Sequence, residues 1–307
     1  MNRTFFNSEL ILVKFPIIFP LLYIFFLYYF PDYENHLVFF TILLLAETHF
    51  GATWPFFLDK INYPYIKENK INLISLPIII FIFCIIGFFL FKNLFLLIFF
   101  AANMFHVTRQ SYGITNLYTK NNDEKKIYIN TIYLFNFLFF LIAFFRFYLP
   151  IIKNENLLFL NLFFLLIIMI LIIYFIRRFK FSDSTFTMIT GILIFYPVCF
   201  VSNPVHVILM GVTMHYTQYL YLTYKVSLKR KQEAREIHSN FLSKFIIIII
   251  FYSIVMSILS IYGKSDVKLL SNLILIPIIG QMLHFYLDSQ LWKFSEKHNR
   301  DNILKYL

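Results

Sequence analysis

Long apolar runs, separated by short polar or basic connections, recur along the whole chain. Ten of them approach or exceed the roughly 20 residues that cross a bilayer as a helix. They are 10–30, 37–58, 71–91, 93–115, 127–149, 156–176, 185–202, 204–226, 244–262 and 269–292. The seventh is the shortest. The runs are continuous rather than alternating, which selects helices over the short alternating strands of a membrane β-barrel. The longest connection, LKRKQEAREIHSN at 228–240, reads as a short surface helix. No internal repeat stands out. The expected fold is all-α, a polytopic transmembrane helix bundle of about ten spans, with residues 1–307 forming a single transmembrane domain.

Composition leaves this class with little competition. The chain is 60% hydrophobic and only 14% charged, and 42 of its 307 residues are Phe. One water-soluble core could not bury so much apolar surface, since a soluble domain is about half apolar and about one quarter charged. The net charge of +11 does not indicate a nucleic-acid partner, because the basic residues sit in the short loops between spans. With the N-terminus, the loops after even-numbered spans and the C-terminus on one side, that side collects 21 of the 27 Lys and Arg. The other side has five, and Arg109 lies within a span. This bias predicts that both termini face the cytoplasm. The chain is expected to be an integral membrane protein of a bacterial inner membrane, in contact with the bilayer; its oligomeric state stays open. The run from Leu10 to Phe30 is too long for a signal-peptide core and lacks a small-residue cleavage site. Cys84 and Cys199 fall inside apolar runs and read as packing residues rather than a disulfide.

The polar residues inside the spans carry the chemistry. Of eight histidines, His36, His238 and His298 fall in connections and read as solvated. Depth for the others follows from the distance to the first basic residue at the cytoplasmic end. His49 precedes Lys60 by 11 residues, His106 precedes Lys120 by 14, His215 precedes Lys225 by 10, and His284 precedes Lys293 by 9. At about 1.5 Å per residue these four rings share a layer within about 8 Å of depth. His206 lies roughly 13 Å further out, on the opposite face of its helix, and does not belong to the layer. Three of the four have polar company at helical spacing. Asn103, Arg109 and Gln110 flank His106; Gln218 and Tyr219 follow His215; Gln281 and Asp288 flank His284. Glu47, two residues before His49, points elsewhere in a regular helix, although Gly51 and Pro55 can disturb that helix.

Neutral imidazoles in one layer suit a transition metal such as iron, copper or zinc. The expected ligands are His49, His106, His215 and His284. Asp288, Gln110, Gln218 and Glu47 are available to take the second ring N–H of a ligand. Arg109 can meet an anionic group or form a salt bridge. The competing reading is a transporter or lipid-binding protein that uses intramembrane His and Asp as a proton relay. A single transmembrane His can also be an interhelical hydrogen-bonder and nothing more. Tyr216, Tyr219 and the phenylalanines read as core or lipid-facing, and Trp54 and Trp292 as interfacial anchors. The chain has no phosphate-binding G-x-x-x-x-G-K-[ST] loop and no H-E-x-x-H motif. It also lacks a desaturase-type histidine box. Haem, held by two of the four histidines, and other transition metals remain alternatives to iron(II).

The His49-Phe50-Gly51 triplet, the spread of single histidines and the pair His284…Asp288 resemble the Brp/Blh-type membrane β-carotene 15,15′-dioxygenases. His106 and His215 fit the order of that family's motifs. Its early Pro-His-Gly motif is missing, and its paired His-x-x-x-His reads His215…Tyr219 here. The resemblance implies one iron(II) held by four histidines and an O₂-dependent, non-haem oxidoreductase. It implies oxidative cleavage of a carotenoid, a lipophilic small molecule. Independently of the resemblance, helical spacing assigns Asp288, Gln110 and Gln218 to support the centre and leaves Arg109 for an anionic group or a salt bridge.

Overall fold

The computed structural model describes residues 8–179, 181–232, 240–263 and 268–307. Every regular element among them is helical. The principal helices are α1 (Ile18–Tyr29), α2 (Pro31–Phe57), α3 (Asn62–Glu68), α4 (Ile71–Leu90), α5 (Lys92–Tyr118) and α6 (Asn122–Tyr148). They continue with α7 (Asn154–Phe179), α8 (Asp183–Leu193), α9 (Pro204–Gln232), α10 (Phe241–Tyr262), α11 (Leu275–Leu291) and α12 (Lys297–Asn302).

Five of these, α2, α4, α6, α7 and α10, are long and apolar enough to cross a membrane. Their outward faces present Phe, Ile and Leu, as on α7 with Phe159, Phe163, Leu166 and Ile170. Apolar surface on that scale belongs to a membrane protein. Helices α5 and α9 are also long, at 27 and 29 residues, but polar side chains interrupt their apolar runs. Two expected spans take a different form. The run 10–30 is broken at Phe15–Ile17, where Pro16 follows a short π-helical turn, leaving 12 residues in α1. The run 185–202 gives the 11-residue α8 and then a 3₁₀ turn at Tyr196–Cys199 that contains Pro197. Proline removes a backbone donor and clashes with the preceding turn, so neither run continues as one helix. In the 228–240 connection, residues 233–239, including His238, lie outside the described residues.

The chain forms two compact units, 1–38 with 104–218, and 39–103 with 219–307. In the first, α6 starts at Asn121, whose side chain accepts from the Asp123 and Glu124 amides. Ser182 caps α8 by accepting from the Thr185 amide. Both are the expected solution for orphan N–H groups at a helix start. The core gathers Tyr128, Ile132, Phe139, Phe164 and Phe175. Lys14 is buried and anchored, with Nζ 2.7 Å from Asp183 and its carbonyl accepting from Thr190. Gly211 of α9 meets the Ile194 carbonyl so closely that an added Cβ would lie 1.7 Å from it.

In the second unit α4, the start of α5 and α11 share a core of Cys84, Phe88, Phe95, Leu275 and Ile278. A second cluster joins Ala52, Phe56, Val226, Phe241, Phe245, Leu291, Ile303 and Tyr306, and so fastens the C-terminal segment to the helices. Arg230 lies inside this cluster. Its guanidinium stacks over Phe56 and Phe241, pairs with Asp59 at 3.0 Å and donates to the Asn302 carbonyl. Cys84 and Cys199 are free and buried, as expected.

Candidate metal centre

In the second unit, the path of α2 sets the site. A π-helical turn at Ile42–Ala46 adds one residue to the turn and shifts the helix phase. Glu47–Gly51 then forms one helical segment and Thr53–Phe57 another, with Ala52 between them. Pro55 supplies no N–H for the Gly51 carbonyl, so the break falls where the sequence placed it. Glu47, His49 and Thr53 are all buried; His49 and Thr53, four residues apart, can share a face, and Glu47 lies on another.

His49 and His284 meet ring to ring, with centroids 4.5 Å apart at 68°. Tyr219 also packs on His49, with centroids at 4.5 Å. From His284 a hydrogen-bonded chain leads to a carboxylate. Thr53 Oγ1 is 2.7 Å from His284 Nδ1 and 2.9 Å from the Tyr219 hydroxyl. Tyr219 in turn donates to Asp288. Trp292 Nε1 donates to the Tyr219 oxygen from 3.4 Å, and Asp288 is itself buried. With Asp288 ionised, the hydrogens run in one direction. His284 Nδ1–H donates to Thr53, Thr53 to Tyr219, and Tyr219 to Asp288. We assign the tautomer on that basis, which makes Nε2 the acceptor nitrogen of His284. A ligand atom of His284 and one of Asp288 lie within 4.8 Å of each other.

In the first unit, His106 of α5 and His215 of α9 form a second buried pair. Their centroids are 5.6 Å apart at 87°, and a ring nitrogen of each lies within 4.8 Å of the other. Ligands at about 2.1 Å from one ion sit about 3–4 Å apart, so His106 with His215, and His284 with Asp288, are spaced to contribute to a metal site. Thr108 and Ser111 next to His106 return their hydroxyls to the carbonyls of Met104 and Val107, four residues back.

Other expected residues fall elsewhere. Gln218 does not turn to a histidine; its Nε2 donates to the Val13 carbonyl at 2.6 Å. Glu47 accepts from Gln281 at 3.3 Å. Gln110 is half-buried, and Arg109 is exposed, near Tyr133. His206, outside the layer, bonds the Tyr23 hydroxyl through Nδ1 and Glu34 through Nε2, both at 2.7 Å. His298, expected to be solvated, is half-buried. It lies stacked on Tyr65 at 4.5 Å and bonded to Asn62 at 2.6 Å. His36 is exposed, as expected.

One member of the network, Thr53, is not evident from the sequence pattern, and another, Tyr219, is only partly so. Thr53 gives no signal, since a single Thr in an apolar run is unremarkable. Tyr219 does give one: it stands four residues after His215, within reach of the same helix face. Comparison of the chain with protein-family models, with curated proteins and with solved structures finds no match.

Proposed function

We propose that this protein is a membrane-embedded metalloenzyme whose metal is held by imidazoles and which oxidises a lipophilic molecule taken from the bilayer. The observation that carries this reading is the pairing of buried rings, His49 with His284 and His106 with His215, in a chain whose long helices are apolar on the outside. Buried ionisable groups within membrane helices are costly and point to function. The ligands proposed are His49, His106, His215 and His284, on the sequence ground that they share one depth. Uncharged nitrogen donors fit iron(II), with copper, zinc and haem iron as less favoured alternatives. When bound, such a metal with open positions supplies activation of O₂. The chain's own part is to hold the rings, keep water out with Phe50 and Phe285, and fix the His284 proton through Thr53, Tyr219 and Asp288. The resemblance in His49-Phe50-Gly51 and His284…Asp288 supports a Brp/Blh-type activity, cleavage of a carotenoid. Arg109 and Gln110 belong to the proposal as supporting residues on α5.

The proposed topology has ten membrane segments and cytoplasmic termini in a bacterial inner membrane, and rests on the 21-to-five division of basic residues. The second reading, a proton-relaying transporter, draws on the Asp288–Tyr219–Thr53–His284 chain, which can pass a proton as well as fix one. Elemental analysis of protein purified in mild detergent separates the two. Stoichiometric iron that is lost on His→Ala substitution supports the enzyme. Metal-free protein that moves protons in liposomes supports the transporter.

A further inference from the structure

Close to His49 in the second unit lies a polar cluster that the metal reading does not use. Glu47 is 1% exposed, and only one of its carboxylate oxygens has a described partner, the Gln281 amide. The other, Oε2, is buried with no hydrogen bond among the described residues. The Tyr252 hydroxyl of α10 and the Trp54 indole nitrogen of α2 are in the same condition. The three belong together. The Trp54 and Tyr252 rings lie 6.5 Å apart, and the Tyr252 side chain packs on Gly51, four residues after Glu47, and on Gly280, next to the Gln281 that bonds Glu47. Two glycines make room for this tyrosine. A Cβ on Gly280 would lie 2.4 Å from its hydroxyl, and one on Gly51 would lie 3.0 Å from its ring.

Buried polar groups are nearly always satisfied, so three orphans in one place call for a common partner. With Glu47 ionised, their inventory is one carboxylate acceptor and two donors, an indole N–H and a phenol O–H. An alcohol hydroxyl offers the complement: one hydrogen to donate and two lone pairs to accept. An ammonium has no lone pair for Trp54 or Tyr252, and a carbonyl or ether has no hydrogen for Glu47. Tyr252 belongs to α10, a helix long and apolar enough to cross a membrane, whose outer face exposes Phe251 and Ile254. We propose that Glu47, Trp54 and Tyr252 bind the hydroxyl group of an apolar alcohol that enters from the bilayer. Glu47 Oε2 accepts its hydrogen, and Trp54 and Tyr252 donate to its oxygen. The site stands whether or not the histidines hold a metal.

The test uses full-length protein in phosphatidylcholine nanodiscs and three photoreactive probes of one chain length. The probes end in a hydroxyl, a methyl ether or a methyl group. Labelled peptides from α2, α10 and α11 are quantified by mass spectrometry at equal membrane mole fraction. The alcohol is expected to label at least about fivefold more than the ether or the hydrocarbon, the scale of one hydrogen bond. Tyr252→Phe and Glu47→Gln, each shown to be folded by thermal unfolding, are expected to bring the alcohol down by about fivefold. Equal labelling by all three probes overturns the site. So does ether labelling as strong as alcohol labelling, which would leave Glu47 without a role. Folded variants that label like wild type overturn it as well. Iron content, measured on the same preparations, reports separately on the metal proposal.

Discussion

Tyr219 shows how one side chain can look structural in the sequence and act as a junction in the fold. Its ring packs on His49 and Trp292, and its hydroxyl joins Thr53 to Asp288. Tyr219→Phe keeps the packing and removes the junction. Outer-shell partners of metal ligands typically contribute 10- to 100-fold in affinity. The variant is therefore expected to lose iron affinity by about that factor, measured by chelator competition, and about 1–3 kcal/mol in thermal unfolding, because the buried Asp288 loses a donor. At the C-terminal segment, His298 donates from Nε2 to Asn62 and can accept at Nδ1 from Asn302, 3.4 Å away. Both bonds suit the neutral ring. Burial, and then the nearby Arg230 charge, hold its pKa below the usual imidazole value. The unfolded chain then binds this proton more readily than the folded one. Stability is fully present above about pH 6.5 and is lost as pH falls through the folded value. Thermal unfolding between pH 7.5 and 5 is expected to show this loss, and His298→Gln is expected to flatten it.

The elements explain which parts of this arrangement the sequence could disclose. Hydrophobic runs located α2, α4, α6, α7 and α10 closely, because length and apolarity alone define them. The same signal overstated 10–30 and 185–202, since hydropathy does not register what Pro16 and Pro197 do to a backbone. The depth of the four histidines could be counted from basic residues. Their neighbours in space could not, because the π-helical turn at Ile42–Ala46 rotates the rest of α2 and leaves no compositional trace. Helical spacing likewise offers Gln218 as a partner for His215, whereas its amide bonds Val13 instead. Arg230 looked like one more topology marker in a basic loop. It is in fact the pin between α9, Asp59 and the last helix, 1% exposed at its side chain. Arg230→Met keeps much of its packing but leaves Asp59 without its cation. Breaking a buried pair in this way costs about 3 kcal/mol or more. Faster proteolysis of the C-terminal segment is the expected sign. Gly211→Ala, which forces a methyl against the Ile194 carbonyl, is expected to cost about 1–3 kcal/mol in thermal unfolding.

At the scale of the whole molecule, the apolar exterior of five long helices and the buried imidazoles make opposite demands. The first belongs in hydrocarbon. The second would be expensive there without partners, and within each unit the partners are present: ring against ring, and a chain of hydroxyls ending on Asp288. A transition metal is the simplest reason for a lipid-facing chain to keep so many imidazoles out of water. The measurement that bears on this most directly is iron content per chain after anaerobic loading with Fe(II) and gel filtration in mild detergent. It is made on wild type and on His49→Ala, His106→Ala, His215→Ala and His284→Ala. Near-stoichiometric iron in wild type, with substantial loss in all four variants, is the expected result. Wild-type protein that retains no iron, or four folded variants that retain as much as wild type, would contradict the account.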